Sequence, residues 1–186
     1  MRKHYLIFVS LFVIVSLSSF KKIAEWISYS SAEGKYKVLM PATPEEQSQK
    51  IPSAIGELTM YMAMLESPDE NDANVLYMTA YSEYPVDKIS SDLPKETIDA
   101  FFKGAANGSA KKMDGSVESI TETSYKTYPA RNVVTKVKLS GMEFLALQRL
   151  ILVKNKFYML QTFTHTDKGD NENAKKFFDS FSLIEN

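Results

Sequence analysis

Along most of this chain apolar residues recur at every second position, the rhythm of a half-buried β-strand. Tyr36-Lys37-Val38-Leu39-Met40 alternates and then meets Pro41-Ala42-Thr43-Pro44, where proline cannot donate to a ladder and pairing ends. Trp26 to Tyr29 reads as a strand before it, reached through the turn Ala32-Glu33-Gly34-Lys35. Glu45 to Pro52 is polar and extended in this reading. Leu58 to Leu65 and Val75 to Tyr84 are strands on either side of the acidic loop Pro68-Asp69-Glu70-Asn71-Asp72. Neighbours this close connect most economically as an antiparallel meander.

The second half keeps the same rhythm between two segments of helical period. Asp92-Leu93-Pro94-Lys95-Glu96 predicts a helix start, with proline near the first turn and acids beside the positive end. Ile98, Phe101, Phe102 and Ala105 follow at spacings of three and four, one apolar face. Gly104 and Gly108 weaken that helix and are read as positions of close helix-on-sheet packing. Asp114-Gly115 turns the chain into the strand Val117 to Tyr125, and Asn132 to Leu139 follows after Tyr128-Pro129-Ala130. Ser140-Gly141 and Lys154-Asn155 have the two-residue length of tight hairpins around Met142 to Val153 and Lys156 to Thr164. Leu147, Leu150, Ile151, Leu152 and Val153 are apolar on both parities, which predicts a central strand covered on both faces. A last helix, capped by Asp170 or Asn171, carries Ala174, Phe177, Phe178 and Phe181 on one side. The fold class is therefore α+β: a mainly antiparallel β-sheet flanked by two amphipathic helices, as one domain over residues 26–186.

Neither rhythm describes the first 22 residues. Met1-Arg2-Lys3-His4 is a basic start, Tyr5 to Leu17 is apolar apart from Ser10 and Ser16, and Lys21-Lys22 closes the segment. This is the layout of a secretory signal peptide, residues 1–18, with cleavage between Ser18 and Ser19 and a short linker over 19–25. The rival reading keeps residues 4–20 as a membrane anchor, at the lower limit of length for crossing a hydrocarbon core. Both readings export the domain, to a periplasmic or secreted location, and involve the membrane only through the N-terminal segment if it stays uncleaved. A lipoprotein signal is excluded, since the chain has no cysteine to carry the lipid.

Composition removes whole classes of chemistry. The chain of 186 residues has 22 basic and 23 acidic side chains, a net charge of −1, so a nucleic-acid partner is not expected. Zero cysteines leave no thiolate metal site, Fe–S cluster, disulfide or thiol nucleophile. No Gly-rich loop joins a strand to a helix, and no Gly-x-Ser-x-Gly elbow is present. No cofactor is implied.

An aromatic first strand (Trp26-Ile27-Ser28-Tyr29) runs to Gly34-Lys35-Tyr36-Lys37-Val38-Leu39-Met40-Pro41 and on to Pro44. Later come Tyr77-Met78-Thr79-Ala80-Tyr81-Ser82-Glu83-Tyr84-Pro85, a helix, Tyr128-Pro129-Ala130-Arg131, Arg149-Leu150-Ile151-Leu152-Val153 and Phe157-Tyr158-Met159-Leu160. In this order they resemble secreted bacterial proteins of the PsbP-like class, over about residues 26–186. The resemblance implies an α/β/α sandwich, shared with the photosystem II extrinsic subunit and a Ran-binding nucleotide-release factor, and a non-enzymatic accessory or binding role. None of these residues is a catalytic signature, and no binding residue of those relatives has a matching motif here. Where relatives often carry Pro-Gly, this chain has Pro129-Ala130.

The candidate sites are few. Tyr81, Tyr84, Tyr125 and Tyr128 lie near predicted strand ends with Arg131 close by, and Tyr and Arg dominate contact energetics in interfaces. Tyr84, Tyr125, Tyr128 and Arg131 are thus the candidate partner-contact patch. His165 has Asp167 near it but no partner serine motif, and is read as a strand-end polar residue. Asp69-Glu70-Asn71-Asp72-Ala73-Asn74 has only part of a calcium-loop pattern, and Asp167 to Glu172 reads better as a turn and cap. Met60, Met62 and Met64 are read as adaptable core filler. The expected function is a non-enzymatic exported domain recognising an envelope protein or a small ligand. The alternative is a carboxylate-dependent envelope hydrolase whose site is invisible in linear sequence.

Overall fold

The computed structural model describes residues 25–184 except 54 and 140, so the Ser18–Ser19 junction and the rest of the N-terminal segment lie outside the described residues. In chain order the strands are β1 (Ile27–Ser31), β2 (Tyr36–Met40), β3 (Glu45–Ser53), β4 (Gly56–Glu66) and β5 (Asn74–Glu83). Helix α1 (Lys95–Lys112) follows, then β6 (Ser116–Tyr125), β7 (Tyr128–Leu139), β8 (Met142–Val153) and β9 (Lys156–His165). A 3-10 turn (Thr166–Lys168), helix α2 (Glu172–Asp179) and a two-residue strand β10 (Ser182–Leu183) complete the order.

The alternation does what the sequence pattern predicts, with one addition. Strands β3 to β9 form a seven-stranded sheet in the order β3-β4-β5-β9-β8-β7-β6, every neighbour antiparallel. Strands β1 and β2 do not join that meander; they pair with β10 in a separate three-stranded sheet. Pro41 and Pro44 account for the break, because a segment with two prolines cannot carry β2 into a hairpin with β3. In β2 the side chains of Tyr36, Val38 and Met40 are buried and Lys37 is exposed, so the small sheet has one wet face and one dry one.

That dry face and α2 pack against one side of the large sheet. Tyr36, Val38, Met40 and Phe177 meet Tyr77, Tyr81, Ile151, Tyr158 and Leu160 in the main core. Helix α1 covers the other side, where Ile98, Phe102 and Ala106 meet Val133, Leu150 and Leu152. Strand β8 is therefore buried on both parities, as its apolar residues on both parities predict. Burying a Phe side chain completely, as at Phe102 and Phe177, contributes about 1.5–3 kcal/mol to docking each helix.

Two local readings are corrected. Strand β7 begins at Tyr128, and Lys126-Thr127 forms the turn; Lys126 adopts φ 53°, a conformation in which lysine gives no sequence signal. Gly104 and Gly108 sit on the solvent side of α1, where an added Cβ would meet nothing within 4 Å. They do not serve close packing. The helix presents Ile98, Phe102, Ala106 and Ala110 to the sheet, with Phe101 and Ala105 half-buried at its flank.

Candidate functional site

At the β3 edge of the molecule the two sheets diverge. The β1–β2 turn stands over the face formed by β3, β4 and β5, and a cleft of about 490 Å³ opens between them. Tyr29 and Tyr36 come from the small sheet, Tyr61 and Tyr81 from adjacent strands of the large one. Tyr61 and Tyr81 are register partners in β4 and β5, so their rings point the same way and stack at 4.9 Å and 15°. Tyr36 meets Tyr81 edge-on at 6.2 Å, and Tyr29 meets Tyr36 at the same distance. Tyr61 is 38% exposed and offers the cleft an open ring, whereas Tyr36 and Tyr81 are buried.

The turn over the cleft is held from below. Gly34 lies so close to the Tyr36 ring that a Cβ would come within 2.6 Å of it, which excludes any larger residue without rearrangement. Its carbonyl accepts a hydrogen bond from the Tyr158 hydroxyl (2.8 Å), and the Glu33 carbonyl accepts one from Lys156 Nζ (3.1 Å). The Gly34 N–H donates to Ser31 Oγ at 3.0 Å. Across the mouth, the Tyr29 hydroxyl donates to the Glu46 carboxylate on β3 at 2.7 Å, tying the small sheet to the large. The Tyr36 hydroxyl is 2.7 Å from Thr79 Oγ1 in the interior.

These surroundings displace the phenols upward from their ordinary range. Burial, then the hydrogen bond to Glu46, pushes the Tyr29 hydroxyl well above its ordinary value. Burial raises Tyr36, against the opposing hydrogen bond with Thr79. Burial followed by the Glu33 charge lifts Tyr81 to about 12. Any fixed charge on the cleft wall is thus carboxylate charge, from Glu33 and Glu46. The cleft continues into a second recess of about 340 Å³, which shares Glu33, Tyr61 and Tyr81 and adds Glu57, Glu83 and Lys156. There Lys156 Nζ lies 5.3 Å from the centre of the Tyr81 ring and 3.8 Å from Glu83.

Of the tyrosines and arginine singled out from sequence Tyr81 lines the cleft, and the others lie outside it, with Tyr128 and Arg131 sharing one recess apart from Tyr84 and Tyr125. Tyr84 packs edge-on against Phe101 at 5.2 Å on the α1 side of the sheet, and burial raises its hydroxyl. Tyr125 and Tyr128 are cross-strand partners at the β6–β7 hairpin end. The Tyr125 ring meets Phe181 at 5.3 Å and its oxygen accepts from the Leu183 N–H, so it closes the core beneath β10. Arg131 is 6% exposed. It donates to the Ala130 carbonyl at 2.6 Å, pairs with Asp99 and lies 5.1 Å from the Phe102 ring centre. A depression of about 270 Å³ runs past Tyr128, Arg131 and Asp99, but its cation is already answered from α1. Strand parity turns Arg131 and the two preceding tyrosines toward opposite faces, and only Tyr128 reaches the rim of that depression.

The remaining candidates have structural partners. The Asp72 carboxylate accepts from Ser67, Tyr77, Asn74 and Asn173 at 2.7–3.3 Å, and so knits its loop to β5 and α2. Asn171, not Asp170, caps α2 by accepting from the Ala174 N–H at 2.8 Å. His165 ends β9 with its ring 5.3 Å from Phe144. Met60, Met62 and Met64 are half-buried at the parity of β4 opposite to Tyr61, Met62 also borders the cleft, and Gln47 donates to Met64 Sδ at 2.9 Å. Sequence reading missed Tyr29, Tyr36 and Tyr61 as site residues. The signal open to it was Tyr61 itself, an aromatic among methionines at the opposite parity of its strand.

Among the described residues no helix is long and apolar enough to cross a membrane. No protein-family model matches the chain, and no curated protein matches it. Among solved structures, the solution structure of cyanobacterial PsbP (CyanoP) from Synechocystis sp. PCC 6803 is similar. It has a TM-score of 0.54 and 15% identity, over 91% of this chain and 98% of that one. A Pseudomonas aeruginosa protein of unknown function, described as a putative regulator, aligns at a TM-score of 0.35 and 10% identity, over 76% of this chain and 84% of that one. The three layers, the strand order and the near-complete alignment with the cyanobacterial protein together give this chain the PsbP-like fold.

Proposed function

We propose that this protein is an exported, non-enzymatic binding domain whose recognition site is the tyrosine cleft between its two sheets. The cleft carries the reading. It has the volume of a small-ligand site, an open aromatic wall, and polar groups held in place by hydrogen bonds from two sheets. The same cleft supports binding over carboxylate hydrolysis, because Glu33 and Glu46 are both exposed to water. A general acid of a glycosidase needs burial to hold its proton near neutral pH. The basic and apolar layout of residues 1–22 supports export, and the fold shared with cyanobacterial PsbP is consistent with an accessory role. The ligand is a small molecule or an exposed segment of an envelope protein.

The test is chemical-shift mapping on the isotope-labelled chain with a panel of cationic, neutral and anionic small molecules, together with cell fractionation. Binding is expected to move resonances of Tyr29, Tyr61 and Glu46 and to be lost in Tyr61→Ala. Shifts confined to the α1 side of the sheet, or recovery of the protein in the cytoplasm, would overturn the reading.

A further inference from the structure

The two ends of the cleft have the same chemistry but not the same occupancy. At one end a cation of the chain itself is in place: the Lys156 ammonium lies over the Tyr81 ring at 5.3 Å, is 3.8 Å from Glu83, and donates to the Glu33 carbonyl. At the other end Tyr29, Tyr36, Tyr61 and Glu46 line one space, with the Tyr29 hydroxyl on the Glu46 carboxylate, and among the described residues no lysine or arginine lines it. A tyrosine ring presents a negative face, and a neighbouring carboxylate adds to its attraction for positive charge. The phenols add no phenolate charge, since burial pushes Tyr29 and Tyr36 further above an ordinary range that already leaves them protonated. The wall is therefore aromatic and anionic, with its counter-charge missing at one end only.

We infer that the Tyr29–Tyr61–Glu46 end of the cleft binds an organic cation, an alkylammonium or guanidinium group. This rests on the reading of the cleft as the recognition site and names the ligand class it takes. The cation lies against the open ring of Tyr61 and approaches Glu46, whose position is fixed by the Tyr29 hydroxyl at 2.7 Å. Strong hydration would oppose entry, so weakly hydrated cations such as quaternary ammonium and guanidinium are preferred over a primary ammonium. The depression beside Arg131 offers the contrary case: its charge already pairs with Asp99, and it has no vacancy for an ion.

The experiment is calorimetric titration of the full chain with choline, arginine amide, a hexapeptide with one central arginine, and 3,3-dimethylbutanol, the neutral isostere of choline. Cations are expected to bind at least about tenfold tighter than the isostere, a difference of about 1.4 kcal/mol. Glu46→Gln and Tyr61→Leu are each expected to weaken cations about tenfold and leave the isostere unchanged, while Tyr61→Phe retains binding. A hexapeptide much tighter than arginine amide identifies a partner's side chain as the source, and equal affinities identify a free solute. Equal binding of choline and its isostere in the cleft overturns the cation inference and leaves the recognition site standing. Failure of the cations to bind, with unchanged thermal melting of the variants, overturns the inference. Failure of every probe to shift cleft resonances overturns the site as well.

Discussion

The Tyr158 hydroxyl, on the middle strand of the large sheet, donates to the Gly34 carbonyl in the β1–β2 turn at 2.8 Å. That bond spans the two sheets and fixes the wall of the cleft to its floor. Tyr158→Phe removes the donor and keeps the ring, leaving a buried carbonyl without its partner. The expected cost is about 1–3 kcal/mol in urea unfolding, with the denaturant slope unchanged. Amide exchange in residues 32–35 should quicken more than in β7. Equal protection of that turn in both proteins would show that the bond does not hold it.

Gly34 and Gly104 should respond to alanine in opposite directions. At Gly34 the new Cβ meets the buried Tyr36 ring at 2.6 Å and Ser31 Oγ at 2.7 Å, and an aromatic packed in the core cannot move aside cheaply. Gly34→Ala is expected to destabilise by about 1–3 kcal/mol and to disturb the cleft. At Gly104, and likewise Gly108, the space is open and the backbone is helical. Alanine there should stabilise by about 0.5–1 kcal/mol. Parallel denaturation curves of the three variants check all three signs.

The contrast marks what the chain discloses before it folds. Strand periodicity, the prolines at 41 and 44 and the cap at Asn171 act within a few residues of one another, so their effect is legible in sequence. The environment of Gly104 is not, because which side of α1 faces the sheet depends on Val133, Leu150 and Leu152 from distant strands. The hairpin before β7 leaves no local mark, because Lys126, not glycine, takes the positive φ. The cleft was hidden for the same reason as the face of α1. Tyr29, Tyr36, Tyr61 and Tyr81 sit on four strands in two sheets, and only the packing of one sheet on the other brings them together.

Asp72 should behave as a structural carboxylate. It accepts from the Tyr77 hydroxyl at 2.7 Å and from Asn173 on α2 at 3.0 Å, and Asn74 beside it reaches Asn171 at 3.0 Å. Asp72→Ala leaves these buried donors without an acceptor and is expected to cost about 2–3 kcal/mol. Calcium should leave the melting temperature of the parent chain unchanged, because the oxygens it would need already accept from the protein. A rise in melting temperature with calcium, abolished by Asp72→Ala, would refute this assignment.

Arg131 is expected to matter for stability and not for ligand affinity. Its guanidinium contacts Phe102, the Ala130 carbonyl and Asp99 beneath α1, away from the cleft. Arg131→Lys loses the planar fork, and about 1–2 kcal/mol of stability, since the Asp99 partner is partly solvated. Titration of the cleft with choline should be the same in both proteins. A change in that affinity without a change in melting would restore Arg131 as a contact residue.

The tyrosines in and against the main core are expected to weaken the fold at alkaline pH. Tyr81 is lifted to about 12, chiefly by burial and then by Glu33, against an ordinary phenol near 10. Tyr29, Tyr36, Tyr77 and Tyr158 are displaced in the same direction, burial first in each. Between pH of about 10 and 12 the unfolded chain releases protons that the folded chain keeps, so the unfolded state binds fewer and stability falls as pH rises. The contribution is intact below about pH 10 and is lost as pH climbs through the folded value. Phenolate absorbance should therefore show a step near pH 12 that disappears in Tyr81→Phe. Glu33→Gln should move that step downward by removing the second cause while burial keeps it above the ordinary range. A Tyr81 step at the ordinary value in the parent chain would mean that water reaches the back of the cleft and that Tyr81 is not the buried ring its packing against Tyr36 and Tyr158 makes it.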